Sequence, residues 1–212
     1  MDIGGTVQAV AEQLRQMGAG LDRAEGGLGA AEASAGRIAS TAARSGFAAV
    51  AVQLRALADR IGRARIRVVG VHTSVDQLRA AVDGVPRQGT PKDVVTVVTP
   101  LIARASKVAA ENAAVLQELQ KVEAAVAKVL QGGQPQQLIA QLQPVRQVLA
   151  AVGQGAIGGR RTLEGLIGQA RRVGDSGAPV VIDVTGGPVP GVVGGGTPTI
   201  HDSAPGPASP PS

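Results

Sequence analysis

Residues 94–129 read VVTVVTPLIARASKVAAENAAVLQELQKVEAAVAKV, and this stretch decides the fold of the chain. Its apolar side chains alternate at intervals of four and three residues, beginning with Val94, Val98 and Leu101. A mean spacing of 3.5 residues keeps one stripe of a helix facing a neighbouring helix while the two wind around each other. The stretch therefore predicts a long α-helix that packs along most of its length.

The same alternation fills three further segments, which are residues 7–42, 50–82 and 138–173. Glycine and proline punctuate the breaks between the segments, at Ser45-Gly46-Phe47, at Asp83-Gly84-Val85-Pro86 and at Gln131-Gly132-Gly133-Gln134. Short connections place consecutive helices antiparallel. The chain is predicted to be all-α, with four long antiparallel helices that form either one closed bundle or two hairpins laid end to end.

Two local features refine this prediction. Thr90-Pro91 suits a helix start, because a hydroxyl precedes a proline at the first helical position and Asp93 follows in the first turn. The first helix contains several glycines, and each costs about 0.8–1 kcal/mol relative to alanine inside a helix. A break near Gly26-Gly27 is therefore expected.

The heptad pattern stops at Asp175, and the remaining residues are rich in glycine and proline. Such a composition leaves little apolar surface to pack. Two regions are therefore predicted: a helical domain over residues 1–174 and a disordered tail over residues 175–212.

The composition argues against an enzyme. Phe47 is the only aromatic residue, and there is no Cys, which excludes disulfides, thiolate nucleophiles and cysteine-bound metals. His72 and His201 are the only imidazoles; His72 and Asp76 share a helix face, but no third metal ligand is evident. No catalytic residue, cofactor, metal or small-molecule substrate is expected.

One glycine motif imitates a phosphate-binding loop. Gly153-Gln154-Gly155-Ala156-Ile157-Gly158 has the G-x-G-x-x-G spacing, which binds phosphates when it follows a strand and opens a helix. Here it lies inside the fourth heptad run. The motif is interpreted as chance or as close packing between helices.

Asn112 occupies a position in the third apolar stripe. A buried Asn in such a stripe costs stability but can fix register or the choice of partner. The alternative is a tolerated, hydrated position. Together with Gly46 and Phe47 at the first chain reversal, Asn112 is a candidate interaction residue.

Arg60, Arg63 and Arg67 lie on one face of the second helix. Arginine pairs well with phosphate, so this face is the candidate for binding nucleic acid. Asp59 and Asp76 dilute the positive charge, and there are no aromatic side chains to stack on bases. A solvated flank of the helix is the preferred interpretation.

The amino terminus has no basic segment followed by an apolar run, and no stretch of about 18 apolar residues occurs anywhere. No signal peptide and no membrane span are therefore expected, and a cytoplasmic location is predicted.

Three segments resemble an uncharacterised family of actinobacterial helical proteins found near polymorphic-toxin genes: Ser45-Gly46-Phe47-Ala48-Ala49-Val50, Gly89-Thr90-Pro91-Lys92-Asp93-Val94-Val95 and Val129-Leu130-Gln131-Gly132-Gly133-Gln134-Pro135. The resemblance spans roughly residues 1–174 and implies no catalytic residues. The bend at Gly46-Phe47 is also distantly similar to that of the WXG-type helical hairpins exported by ESX (type VII) systems. The chain lacks their Trp and the Tyr of their export signal, which argues against direct export.

Together these observations predict a non-enzymatic helical interaction protein. It would act through its apolar stripes, either by self-association into a homo-oligomer or by pairing with another helical chain. The resemblance implies a toxin or type VII-like secretion context for this pairing. The alternative is a basic helical protein that binds nucleic acid weakly through Arg60, Arg63 and Arg67.

Overall fold

The computed structural model describes residues 3–85, 90–129 and 135–176. The described residues form four helices: α1 (Ile3–Arg44), α2 (Ala48–Asp83), α3 (Pro91–Val129) and α4 (Pro135–Ser176). At a rise of about 1.5 Å per residue, each helix is roughly 55–60 Å long. The all-α prediction is confirmed. The predicted tail lies outside the described residues, apart from Asp175 and Ser176, which end α4.

The helices form a ring. α1 packs against α2 and α4, and α3 packs against the same two helices, whereas in the described residues the backbones of diagonally opposite helices do not approach closely. A cavity of about 10 Å³ at the centre is lined from all four sides, by Leu14, Leu78, Ala105 and Leu163 among others. The arrangement is therefore one closed bundle and not two hairpins laid end to end.

Contacts between neighbouring helices show that they run antiparallel. Along the α1–α4 contact, Met17 faces Gly155, Gly20 faces Val152 and Gly27 faces Val145, so one residue number rises as the other falls. The α1–α2 contact is antiparallel in the same way, since Asp22 of α1 lies beside His72 of α2 and the later Glu32 lies beside the earlier Arg65.

The predicted apolar stripes form the core. In α2 every stripe position from Leu54 to Val82 is buried. The stripe positions of α3 are buried from Val94 onward, and those of α4 from Leu138 onward. Only positions near the helix ends are partly buried: Val7, Ile38, Ala42, Val50, Val129 and Val173. Each fully buried leucine contributes about 1.5–3 kcal/mol. Numerous alanines and valines keep the seams between helices thin.

α1 is continuous from Ile3 to Arg44, so the break predicted near Gly26-Gly27 is wrong. A Cβ atom on Gly27 would lie 2.6 Å from a methyl carbon of Val145 in α4, which is closer than such atoms can approach. Gly27 therefore allows α4 to pack closely against α1. Packing against α2 and α4 together offsets the low helix propensity of the glycines, since tertiary contacts supply most helix stability in proteins.

The connection between α1 and α2 is a Schellman turn. The Phe47 amide donates to the Ala42 carbonyl at 2.9 Å and the Gly46 amide to the Ala43 carbonyl at 3.2 Å. Gly46 has a φ of 83°, which a residue with a side chain rarely adopts. The residue type at position 46 is therefore explained by the turn itself.

α3 begins as predicted at the capping residue Thr90. The Asp93 carboxylate accepts hydrogen bonds from the Thr90 amide and hydroxyl, both at 2.8 Å, and the Thr90 hydroxyl accepts one from the Asp93 amide at 3.3 Å. This reciprocal arrangement satisfies amides that have no partner inside the helix. The two hydrogen bonds from Thr90, the backbone one first, lower the pKa of Asp93 below its ordinary value.

Candidate interaction surface

The side of α2 that faces away from the core carries large apolar residues. Val52, Ile66 and Val69 are 62%, 69% and 42% exposed, and we call these three residues the outer strip of α2. Val52 and Ile66 are separated by four turns, or roughly 21 Å along the axis, and so project to nearly the same side. Phe47, in the turn that precedes α2, is 64% exposed. Within the described residues, the exposed large apolar side chains all belong to this turn or to this strip.

A row of arginines runs beside the outer strip, on the side of α2 that faces α3. Arg60, Arg63 and Arg67 are all exposed, as expected from the sequence. Arg67 reaches α3, where its Nη1 lies 3.8 Å from Oε2 of Glu118. Arg60 and Arg63 have no ion-pair partner among the described residues. The structure thus brings the three arginines together but leaves two of them without a counter-charge.

The positive charge continues onto α3. Arg104 and Lys107 line an open groove of about 560 Å³ between α2 and α3, together with Ser74 and Gln77 of α2. Lys107 pairs with Glu111 at 3.6 Å, whereas Arg104 has no ion-pair partner in the described part of the chain. We call Arg60, Arg63, Arg67, Arg104 and Lys107 the basic flank.

On the opposite side of α2, which faces α1, Arg65 and His72 have carboxylate partners, whereas the exposed Arg55 has no ion-pair partner among the described residues. Nη1 of Arg65 lies 3.2 Å from a carboxylate oxygen of Glu32. His72 lies between two carboxylates, with Nδ1 at 3.4 Å from Asp22 and Nε2 at 3.8 Å from Asp76. Because these carboxylates lie at opposite ring nitrogens, the three groups do not converge on one point. Among the described residues, no group of three or more His, Cys, Asp or Glu side chains is arranged to hold a metal ion.

Asn112 lies inside the bundle and is only 1% exposed. Its Nδ2 donates a hydrogen bond of 2.8 Å to the carbonyl of Leu149 in α4, while its Oδ1 has no hydrogen-bond partner among the described residues. A Cβ atom on Gly153 would lie 3.0 Å from that Nδ2. Asn112 therefore joins α3 to α4 and does not reach the surface where a partner would bind.

The second and third glycines of the G-x-G-x-x-G motif, Gly155 and Gly158, face α1. A Cβ atom on Gly155 would lie 3.0 Å from Sδ of Met17, and one on Gly158 would lie 3.0 Å from Nε2 of Gln13. The interpretation of this motif as close helix packing is supported at both positions. Gly46 and Phe47 lie together in the turn between α1 and α2, and of the two only Phe47 carries a side chain.

Sequence reasoning did not single out Ile66 and Val69. Both fall between the stripe positions Ala64, Val68 and Val71, so their apolar character cannot be explained by the core. Large apolar residues outside a well-defined stripe were the signal that could have identified the outer strip.

A comparison with known protein families gives a match to the second half of the chain. Residues 89–175, which include α3 and nearly all of α4, match the model of a family of unknown function, DUF6244. No curated protein and no solved structure matches the chain. Of the resemblance expected over residues 1–174, the match shows only an uncharacterised family over residues 89–175, and α1 and α2 lie outside it. The actinobacterial origin, the toxin-gene context and the similarity to WXG-type hairpins stay predictions. None of the described helices combines the length and the apolar character needed to cross a membrane.

Proposed function

We propose that this protein is a non-enzymatic interaction protein that binds another helical chain along the outer strip of α2. One observation carries the proposal: the exposed large apolar side chains of the described residues are concentrated on α2 and the turn before it. Apolar residues grouped at the surface mark binding sites. A second helix lying along α2 would contact Val52 and Ile66 at the same time, since both project from one side of α2.

This surface differs from the one predicted from the sequence, where the apolar stripes themselves would bind the partner. In the folded chain the stripes are closed inside the bundle, and Leu21, Leu54, Leu119 and Leu149 are fully buried. A partner could reach them only by displacing a helix. The outer strip is accessible without any such rearrangement, so it is the better docking surface.

The surroundings of His72 support a non-enzymatic role. The hydroxyl of Thr73 donates back to the carbonyl of Val69 at 3.0 Å, and Ser74 lines the groove on the opposite, α3-facing side of the helix. The hydroxyls of Thr73 and Ser74 are therefore directed away from the imidazole of His72 and the carboxylate of Asp76, which lie together on the α1-facing side of α2.

The proposal is tested by quantitative co-purification from the native cell. A variant with Ile66→Gln and Val69→Gln should lose its bound proteins, because glutamine cannot replace the apolar contact. The matched control, Ala113→Gln with Ala114→Gln, adds two glutamines to the exposed face of α3 and should retain them. Circular dichroism must show equal helix content in all three proteins. The proposal fails if the same proteins are recovered with both variants.

The identity of the recovered proteins also tests the predicted toxin or type VII-like context.

Nucleic acid is the second candidate partner, because Arg60 and Arg63 are exposed and have no ion-pair partner within residues 3–85, 90–129 and 135–176. We expect only weak binding of duplex DNA, nearly lost at physiological salt, since phosphate contacts release counterions. Submicromolar affinity that falls when Arg60, Arg63 and Arg67 are replaced by alanine would make nucleic acid the primary partner.

A further inference from the structure

We infer that the helix bound by the outer strip of α2 is acidic along one side, where it lies against the basic flank. This inference rests on the proposed function and adds the chemistry and orientation of the partner. It is carried by the placement of Ile66 beside Arg63 and Arg67, in a row of cations whose charge the other described residues only partly balance.

The basic flank has more positive charges than its neighbours neutralise. Arg60, Arg63 and Arg104 have no ion-pair partner in the described residues. Arg67 is 3.8 Å from Glu118, which also lies 3.6 Å from Lys121, so one carboxylate serves two cations. Exposed ion pairs of this kind contribute only about 0–1 kcal/mol. A partner carboxylate would therefore gain attraction here without having to break a strong internal pair.

The charge around α2 is also asymmetric. On the α1-facing side Arg65 is matched by Glu32, and His72 lies between Asp22 and Asp76. A partner with acidic residues on only one flank would consequently bind in one orientation about the helix axis. Charge complementarity of this kind selects the partner and its register more than it raises affinity.

A second copy of this chain fits the same surface poorly. A two-fold contact uses one surface on both molecules, so an antiparallel α2–α2 pair would place the two basic flanks side by side. Like charges brought together in this way oppose association. Nucleic acid would use the arginines but leave Ile66 and Val69 uncovered. A lipid surface would find neither Trp nor Tyr as an interfacial anchor anywhere in the chain.

The inference is tested with three synthetic helical peptides that share the same length and the same leucine spacing. They differ only at the flanking positions, which are Glu, Gln or Lys. Fluorescence anisotropy measures their binding to the full chain. We expect the Glu peptide to bind about tenfold or more tightly than the Gln peptide, with the Lys peptide weakest, and the preference should shrink as salt is raised.

Three double variants locate the effect. Arg60→Gln with Arg63→Gln should remove most of the preference for the Glu peptide while leaving binding of the Gln peptide unchanged. The matched control, Arg161→Gln with Arg171→Gln, removes two exposed arginines of α4 and should leave the preference intact. Ile66→Gln with Val69→Gln should weaken binding of all three peptides.

Each contrary result has a distinct meaning. Equal binding of the three peptides, or an equal loss of preference in the α4 control, overturns the acidic partner but not the proposed function. Unchanged peptide binding after Ile66→Gln with Val69→Gln overturns the proposed function itself. No peptide binding at all, or tighter binding of duplex DNA or of phosphatidylserine vesicles than of the Glu peptide, overturns both.

Discussion

At the scale of single residues, Asn112 and Gly153 form a coupled pair across the seam between α3 and α4. The amide of Asn112 needs the space that a side chain at position 153 would fill, and it uses that space to reach the Leu149 carbonyl. Its Oδ1 lacks a hydrogen-bond partner in the described structure, and a buried unpaired polar atom costs about 1–3 kcal/mol. We therefore predict that Asn112 specifies how α3 and α4 align and does not maximise stability.

This pairing predicts that the effect of Gly153→Ala depends on residue 112. Alanine gains about 1 kcal/mol of helix propensity over glycine, but in the native chain the new methyl group would press on the Asn112 amide. Gly153→Ala should be neutral or destabilising in the native chain and stabilising by about 1 kcal/mol in the Asn112→Ala background. Urea denaturation of the four proteins measures this coupling.

The control for this cycle is Gly36→Ala. A Cβ atom there would meet nothing within 4 Å, so the substitution should stabilise the protein in either background. Equal effects of Gly153→Ala with and without Asn112 would show that the two residues are not coupled.

At the scale of helices, the start of α3 depends on a single charged residue. Asp93 accepts two hydrogen bonds from Thr90, and its pKa is lowered as a result. A group whose pKa is lower in the folded state stabilises the fold above its unfolded pKa, which for Asp is near 4. That contribution disappears as the pH falls through the lower, folded pKa.

Asp93→Asn should therefore destabilise the protein at pH 7 and have progressively less effect below about pH 4. Urea denaturation at a series of pH values measures the difference. Thr90→Ala, which removes the capping hydroxyl, should cost about 1 kcal/mol at neutral pH and should reduce the pH dependence of the Asp93→Asn effect. A difference between native protein and Asp93→Asn that stays constant down to pH 2 would contradict this account.

The helices also show how far sequence reasoning reaches. The interval of 3.5 residues located the buried positions of α2, α3 and α4, because burial on one side of a helix leaves a periodic trace. The continuity of α1 was not predictable in the same way. Whether Gly27 breaks a helix or admits Val145 depends on which helix lies beside it, and local sequence does not contain that information. The outer strip was not predicted, because its residues fall between the stripe positions and leave no periodic trace of their own.

At the scale of the whole molecule, closure of the ring makes each hairpin depend on the other. The inner sides of α3 and α4 are covered by α1 and α2, so the second hairpin alone would expose a continuous apolar surface. Two copies of that hairpin could rebuild a four-helix bundle, since two-fold symmetry brings two such surfaces together.

A fragment of residues 89–176 should accordingly form a helical dimer. On dilution, dissociation of this dimer and unfolding of its helices should occur in the same transition. Sedimentation and circular dichroism over a range of concentrations test this. Adding a fragment of residues 1–85 should convert the homodimer into a one-to-one complex. A monomeric fragment that stays helical and unfolds cooperatively would show that the hairpin is an independent unit.

The matched antiparallel contacts also limit how the length of this protein can change during evolution. Inserting a single residue within a helix would rotate every following side chain by about 100°, turning part of the stripe away from the core. An insertion in one of the connections would have no such effect. Lengthening the four-helix bundle without loss of packing would require the insertion of seven residues in each of the four helices, at the same height along the bundle axis. Length variants among related sequences should therefore differ mainly in their connections and tails, or by whole heptads added in concert.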